Sequence, residues 1–152
     1  KFKNQLFLLV IYKRLMTNGY VSKFPKIKKI YNYIDYEIIT NIDEVQLHEA
    51  INILEIYSGY GLGSPELYLA LDKKLGINID KIDTKYYADI VNYFIRSNNY
   101  REKFLLLMQK KIVENITKLS ISDVCKILRM YAIVKSEGLS IFEKCYKHVE
   151  NK

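Results

Sequence analysis

Apolar residues recur along this chain at helical spacing. The first run follows the i, i+3, i+4, i+7 and i+11 positions of one helix face and comprises Leu47, Ala50, Ile51, Leu54 and Ser58. A second run at i, i+4 and i+8 comprises Leu67, Leu71 and Leu75. Breaker-rich segments separate such runs, at residues 59–63, 97–99 and 136–138. The pattern therefore predicts pairs of helices joined by short loops.

The helix pairs recur with a period of 37 residues. The clearest marker is an asparagine at positions 4, 41, 78 and 115. Four apolar columns keep the same register: Met16, Ile53, Ile90 and Ile127; Tyr20, Tyr57, Phe94 and Tyr131; Ile30, Leu67, Phe104 and Ile141; and Ile38, Leu75, Ile112 and Val149. One such pair cannot bury its apolar face alone, so successive pairs are expected to stack. The sequence predicts an all-α domain over residues 1–152, an α-solenoid of four 37-residue helix-turn-helix repeats with units at about 1–41, 42–78, 79–115 and 116–152.

Several residues indicate where the helices begin. Ser64 and Pro65 form a strong helix start, with a capping hydroxyl and a proline at the first helical position. Asp43, Asp83 and Ser120 are expected to open the first helices of units two to four. The recurrent asparagine is interpreted as a turn residue that adopts the left-handed conformation just past a helix end.

Composition excludes several classes of protein. With 49% hydrophobic residues, 6 Gly and 2 Pro, the chain has enough apolar residues for a core and does not resemble a disordered segment. The longest apolar run, residues 6–12, is too short to span a bilayer, which takes roughly 20 residues. Two cysteines form no disulfide framework, and both Cys125 and Cys145 are expected to be buried thiols. The absence of an initiator methionine indicates an excerpt or processed form of a longer protein, with any targeting segment outside it.

No catalytic or metal site is predicted. His48 and His148 lie in different units and have no cysteine or carboxylate at metal-ligand spacing. The glycines at 59, 61 and 63 follow a helix rather than a strand and lack the dinucleotide-binding spacing, so this segment is interpreted as a flexible elbow. We expect a non-enzymatic protein that needs no cofactor.

The period and the core pattern resemble a known family. Each first helix carries an aliphatic residue followed four positions later by an aromatic one, in the pairs Ile53/Tyr57, Ile90/Phe94 and Ile127/Tyr131. This is similar to the heptatricopeptide repeat proteins, relatives of the octotricopeptide and pentatricopeptide families that often carry a C-terminal RAP domain. The resemblance implies RNA binding in the mitochondrial matrix, as an rRNA-binding component of a mitochondrial ribosome or of an RNA-maturation assembly. No RAP domain is visible. The alternative is a tetratricopeptide-like scaffold that binds proteins within a larger complex.

Two surfaces are candidates for RNA. The first is a basic column at the end of each second helix, formed by Lys73, Lys74, Lys110, Lys111, Lys147 and His148. Stacked units would align these side chains for successive phosphates. Cations also complement the dipole at a helix C-terminus in any protein, so a structural role stays open.

The second candidate is the polar stripe of the first helices. In unit two it comprises His48, Glu49, Asn52 and Glu55; in unit three Lys85, Tyr86, Asp89, Asn92 and Arg96; and in unit four Ser122, Asp123, Lys126 and Arg129. Amides and carboxylates can hydrogen-bond to base edges, and Tyr86, Tyr93 or Tyr12 could stack on bases. An ordinary solvated helix face is the alternative interpretation.

Charge differs between the units. The net charge is +7, divided as +6 over residues 1–41, −4 over 42–78, +2 over 79–115 and +3 over 116–152. RNA contact is therefore expected away from unit two. In unit one, the positions of the polar stripe hold the apolar residues Ile11, Tyr12 and Leu15, which predicts a partner-binding face or, alternatively, a cap that buries itself.

Overall fold

The computed structural model describes Lys3, Thr17, residues 25–134 and residues 140–150. Within these residues there is no strand, and seven α-helices follow one another: α1 (Pro25–Thr40), α2 (Leu47–Gly59), α3 (Pro65–Ile77), α4 (Tyr87–Ser97), α5 (Glu102–Glu114), α6 (Ile121–Val134) and α7 (Ser140–Glu150). Short 3-10 turns lie at Ile42–Glu44, Ile79–Lys81, Thr84–Tyr86 and Ile116–Lys118. The prediction of an all-α protein is confirmed.

The local structure repeats with the sequence. The turns that begin at Ile42, Ile79 and Ile116 are 37 residues apart. The helical segments that follow them begin at Leu47, Thr84 and Ile121, again 37 residues apart. The same columns of side chains therefore produce the same local structure in this part of the chain.

Each helix from α1 to α5 contacts the helix two positions further along. One series runs α2, α4, α6 and the other runs α1, α3, α5, α7, while α2–α3, α4–α5 and α6–α7 pack as hairpins. The core lies between the two series. Ile53, Ile90 and Ile127 of the first helices are at most 2% exposed, so all three belong to the core. Val149 departs from its predicted core column and is 37% exposed, because it lies on a side of α7 that no other described helix covers.

Four helix starts were predicted, and three of these residues act as caps. Asp83 caps the 3-10 turn at Thr84–Tyr86 that leads into α4, its Oδ1 accepting from Lys85 N at 3.0 Å. Ser64 caps α3, its Oγ accepting from the backbone N–H of Leu67 at 3.1 Å with Pro65 at the first position. Ser120 accepts in the same way from Asp123 N at 3.1 Å. The expectation that Asp43 opens α2 is wrong, because Asp43 belongs to the preceding 3-10 turn and α2 is capped by Gln46 in a capping box with Glu49.

The recurrent asparagine has a turn role through a different geometry from the one predicted. Asn41, Asn78 and Asn115 have φ of −112°, −107° and −114°, so none is left-handed. Each amide instead donates to the carbonyl four residues earlier, at 2.8, 3.0 and 3.0 Å. The side chain thereby adds a donor to a carbonyl of the last helical turn, and the carbonyls of Glu37 and Lys111 also accept from the backbone N–H of the same asparagine.

A column of buried polar residues joins successive second helices, and the apolar pattern of the sequence did not reveal it. Asp35 is 6% exposed and accepts from Ser64 N at 2.7 Å and from Ser64 Oγ at 3.1 Å. Thirty-seven residues later Asp72, 2% exposed, accepts from Arg101 Nε at 2.8 Å and also pairs with Arg101 Nη2. Both partners precede the first residue of the next second helix, so the buried carboxylates fix one helix against the next.

Candidate nucleic-acid interface

The basic column of the second helices divides into an inner and an outer half. Lys74 Nζ donates to the backbone carbonyl of Asp43 at 2.9 Å. Lys111 Nζ lies 2.6 Å from Asp80 Oδ1 and 2.9 Å from Glu114 Oε2, and these carboxylates raise the pKa of the lysine. His148, the third member, is half-buried on α7, which packs against the turn at Ile116–Lys118. Lys74 and Lys111 thus tie their second helices to the turns that begin their units.

The outer half faces solvent. Lys73, Lys110 and Lys147 are exposed, and Lys110 Nζ lies 4.0 Å from Glu114 Oε1. Their surroundings are apolar as well as charged: Leu69 is 37% exposed, Leu106 46% and Ile77 84%. A phosphate would meet one exposed lysine per unit on this surface, between apolar side chains.

The polar stripe of α4 and α6 forms a second, more polar surface. These two helices pack against each other, and their 37-residue register places Asp89 level with Lys126 and Asn92 level with Arg129. Arg96 and Arg129 are exposed, and neither takes part in an ion pair within the described part of the chain. Lys126 is 58% exposed and lies 3.8 Å from Asp123. Two guanidinium groups and one ammonium group are therefore presented on adjacent helices.

The aromatic members of the stripe are partly engaged. Lys85 Nζ lies 4.9 Å from the centroid of the Tyr86 ring, so the neighbouring lysine covers one face of Tyr86. The same ammonium group lies 3.4 Å from Asp83 Oδ2. Tyr93 is half-buried, and burial together with the nearby Glu55 raises its pKa to about 12. Asn92 is half-buried beside these groups.

The stripe continues differently on α2. His48 and Asn52 are exposed, whereas Glu49 accepts from Lys3 Nζ at 2.9 Å and from Gln46 N at 2.8 Å. These bonds and the adjacent Lys3 ammonium lower the pKa of Glu49 against the opposing effect of burial. This part of the stripe is acidic, and it contacts a residue of the basic N-terminal segment.

Other predicted features have varied outcomes. Cys145 is fully buried, and burial raises the pKa of its thiol to about 11. The prediction that Cys125 is buried is wrong, since this thiol is exposed on α6. The predicted partner-binding residues Ile11, Tyr12 and Leu15 lie outside the described residues.

Among the residues that the structure describes, no group of three or more histidines, cysteines and carboxylates is arranged to hold a metal ion. None of the described helices combines the length and the apolar character required to cross a bilayer.

A scan against protein-family models finds no match to this chain, and a search of curated proteins finds no significantly similar sequence. Its function is therefore inferred from the chain's own residues.

Proposed function

We propose that this protein is a non-catalytic RNA-binding solenoid of four 37-residue repeats, of the heptatricopeptide kind. Its place would be the mitochondrial matrix, in a mitochondrial ribosome or an RNA-maturation assembly. The helix contacts two positions apart and the equivalent burial of Ile53, Ile90 and Ile127 support the repeat. The 37-residue period and the aliphatic-aromatic pairs support the family.

The observation that carries RNA binding is the pair of exposed arginines on α4 and α6. Arg96 and Arg129 have no internal carboxylate partner among the described residues, whereas Lys74 and Lys111 are bonded inside the protein. Arginine suits phosphate because its planar fork donates two parallel hydrogen bonds. We therefore favour the stripe of α4 and α6 over the lysine column as the RNA surface.

The salt dependence of binding tests this choice. Fluorescence anisotropy would follow a labelled 20-nucleotide single-stranded RNA of mixed sequence from 50 to 300 mM KCl. For single strands each phosphate contact contributes about 0.7 to the slope of log K against log salt. The double variant Arg96→Ala/Arg129→Ala should lower that slope by about 1.4 if each arginine contacts one phosphate.

The matched control is Lys73→Ala/Lys110→Ala, which removes the same charge from the outer half of the lysine column. Its slope should stay within error of that of the unchanged protein. Equal loss in both double variants would show that only total charge matters. The absence of any binding at 50 mM KCl would refute RNA binding itself.

Base reading is tested separately at Asn92, whose amide lies on the same surface. Asn92→Ala should alter the order of affinities for poly(A), poly(U) and poly(C), because an amide bonds differently to each base edge. An equal loss for all three polymers would assign Asn92 a packing role only.

The organellar part of the proposal is tested by crosslinking in cells and sequencing of the bound RNA, where mitochondrial rRNA or transcripts are expected.

A protein-binding scaffold is the second candidate, and one groove favours it. The groove lies between α1 and α3 and measures about 560 Å³. Its lining is half apolar, from Ile39, Ile42, Leu69, Ala70 and Ile77, and half polar, from Asp43, Glu66, Lys73, Lys74 and Asn78. Ile77 is 84% exposed and Leu69 37%, so two large aliphatic side chains of this groove are accessible to a partner. Ile77→Asp should leave RNA affinity unchanged under the first proposal and abolish capture of a protein partner under the second.

A further inference from the structure

Two cavities occupy equivalent places in successive units, beside the buried carboxylates of the second helices. The Asp35 cavity measures about 490 Å³. The Asp72 cavity, 37 residues later in the chain, measures about 290 Å³. Five positions line both cavities in the 37-residue register, with Asp35, Tyr36, Ile39, Ser64 and Glu66 in the first and Asp72, Lys73, Gly76, Arg101 and Lys103 in the second. The two cavities are therefore one feature of the repeat with different side chains.

A guanidinium group occupies the Asp72 cavity. Arg101 donates from Nε to Asp72 Oδ2 at 2.8 Å and also pairs through Nη2 with Oδ1, so it meets both oxygens of the carboxylate. Asp72 is 2% exposed, whereas the side chain of Arg101 is 45% exposed. At this position a guanidinium thus reaches a buried carboxylate from the solvent side.

Among the described residues, the Asp35 cavity contains no such group. Position 64 holds serine where the next unit has Arg101, and each oxygen of Asp35 accepts one hydrogen bond, both from Ser64. An ionised carboxylate has about four acceptor sites, so about half of them remain available. Burial raises the pKa of Asp35, the bonds from Ser64 oppose this rise and the neighbouring Glu66 adds to it. A cation at this place would compensate a charge that neutral donors compensate only in part.

The charge of the lining also differs between the two cavities. The Asp72 cavity is lined by one carboxylate and three cationic side chains, Lys73, Arg101 and Lys103. The Asp35 cavity is lined by the carboxylates of Asp35 and Glu66 and, within the described part of the chain, by no cationic side chain. Tyr36, 66% exposed, replaces Lys73 in its lining. Carboxylates beside an aromatic ring suit guanidinium, which forms parallel hydrogen bonds with carboxylates and stacks on aromatic faces.

We propose that the Asp35 cavity binds a guanidinium group, presented either by an arginine side chain of a partner protein or by a small guanidino compound. Asp35 would accept from it as Asp72 accepts from Arg101. Glu66 would supply the second negative charge, and Tyr36 would offer a ring for stacking. This inference depends on the equivalence of the two cavities and not on RNA binding.

Nuclear magnetic resonance of the 152-residue chain measures binding at this cavity. The backbone amides of Gly61, Gly63 and Ser64 are the reporters, because these residues line the cavity. Titration with ethylguanidinium chloride at pH 7.5 and constant ionic strength should shift their signals to saturation, with a Kd of about 1–10 mM. Ethylammonium chloride should bind at least about threefold more weakly, because it lacks the planar fork. The absence of a saturable shift up to 50 mM ethylguanidinium, or equal affinity for ethylammonium, would overturn the proposal.

Three variants locate the site. Asp35→Asn preserves the shape of the side chain and should weaken ethylguanidinium binding at least about tenfold, since charge-assisted hydrogen bonds are about twice as strong as neutral ones. Ser64→Arg introduces the residue of the next unit and should abolish binding by filling the cavity from within, with Gly61 and Gly63 as reporters. The matched control is Glu143→Gln, which removes one negative charge at an exposed position of α7 and should leave the Kd unchanged. Unchanged affinity in Asp35→Asn or in Ser64→Arg, or a loss in Glu143→Gln as large as that in Asp35→Asn, would contradict the assignment.

A capped tripeptide, acetyl-Gly-Arg-Gly-amide, distinguishes the two sources of the guanidinium. Binding at least as tight as that of ethylguanidinium would support an arginine side chain of a partner protein. Weaker binding of the tripeptide would support a small guanidino compound. A failure of RNA binding would leave these titrations unaffected, so the two proposals fail separately.

Discussion

Replacing the two equivalent buried carboxylates by asparagine should change stability in opposite directions. Asp35 accepts from the backbone N–H and the hydroxyl of Ser64, both neutral groups, whereas Asp72 accepts twice from the guanidinium of Arg101. In Asp35→Asn the new amide oxygen can still accept from Ser64 N, and the new NH₂ can donate to Ser64 Oγ. In Asp72→Asn one of the two carboxylate oxygens becomes an NH₂ group. Whichever oxygen is replaced, this NH₂ faces an N–H donor of Arg101, and the hydrogen bond at that position is lost.

The magnitudes follow from these contacts. Hydrogen bonds to charged groups contribute about 1.5–3 kcal/mol, so Asp72→Asn should lower the free energy of unfolding by about 2–3 kcal/mol at pH 7. Burial raises the pKa of Asp35, the bonds from Ser64 opposing it only in part. Ionised Asp35 is therefore less favourable in the folded state than in the unfolded one. Asp35→Asn removes this penalty and should raise the free energy of unfolding at pH 7.

The pH dependence gives an independent check. Because the folded pKa of Asp35 is raised, its contribution to stability is fully present below the unfolded value of 3.8 and is lost as the pH rises through the folded value. The gain from Asp35→Asn should therefore grow as the pH rises above that unfolded value and then level off. Urea unfolding followed by circular dichroism from pH 4 to 8 measures both variants. Destabilisation of the same size at both positions would refute the reasoning that the partner of each carboxylate decides its effect.

One pair of variants and one single variant test the packing. Gly63 has φ +94°, and a Cβ there would lie 3.0 Å from ring atoms of Tyr57 and Tyr68, so Gly63→Ala should cost about 1–3 kcal/mol in urea unfolding. Its control is Gly59→Ala, at the end of α2, where the new methyl group has open space around it. This control should raise the free energy of unfolding by about 0.5–1 kcal/mol. A similar loss of stability in both variants would refute the role assigned to positive φ. Tyr131 donates its hydroxyl to a carbonyl 26 residues earlier at 2.7 Å, and the equivalent Phe94 has no hydroxyl. Phe94→Tyr should therefore raise the free energy of unfolding by about 0.5–1 kcal/mol, and a loss above 1 kcal/mol would show that the site has no room for the added oxygen.

The sequence was sufficient for the features that depend on a residue and its near neighbours. Spacing along one helix face decides which side chains point inward, so the column of Ile53, Ile90 and Ile127 could be assigned to the core from its spacing alone. Ser64 was identified as a cap for the same reason, because a cap bonds to an amide only three residues away. The exact conformation of Asn78 was not accessible, since a left-handed turn and a carbonyl-bonding amide are both common at a helix end.

The predicted RNA residues illustrate what could not be read from the sequence. Lys73 and Lys74 are neighbours in the chain and have the same charge, yet the first faces solvent and the second donates to Asp43 O, 31 residues earlier. Only the position of α3 relative to the turn at Ile42–Glu44 distinguishes them. The same is true of Arg101 and Arg96, of which the first is held by the buried Asp72 and the second remains exposed.

The amino-acid sequence by itself determined the helical content, the 37-residue period and the apolar columns, because these follow from the repeat of side chains along one chain segment. The tertiary structure decided which charges are bonded internally, that Cys125 is exposed and that Asp35 and Asp72 join successive helices. Those properties depend on contacts between residues about 30 positions apart, or on the absence of a helix beside α6 and α7 among the described residues. Such contacts exist only once one hairpin is packed on the next.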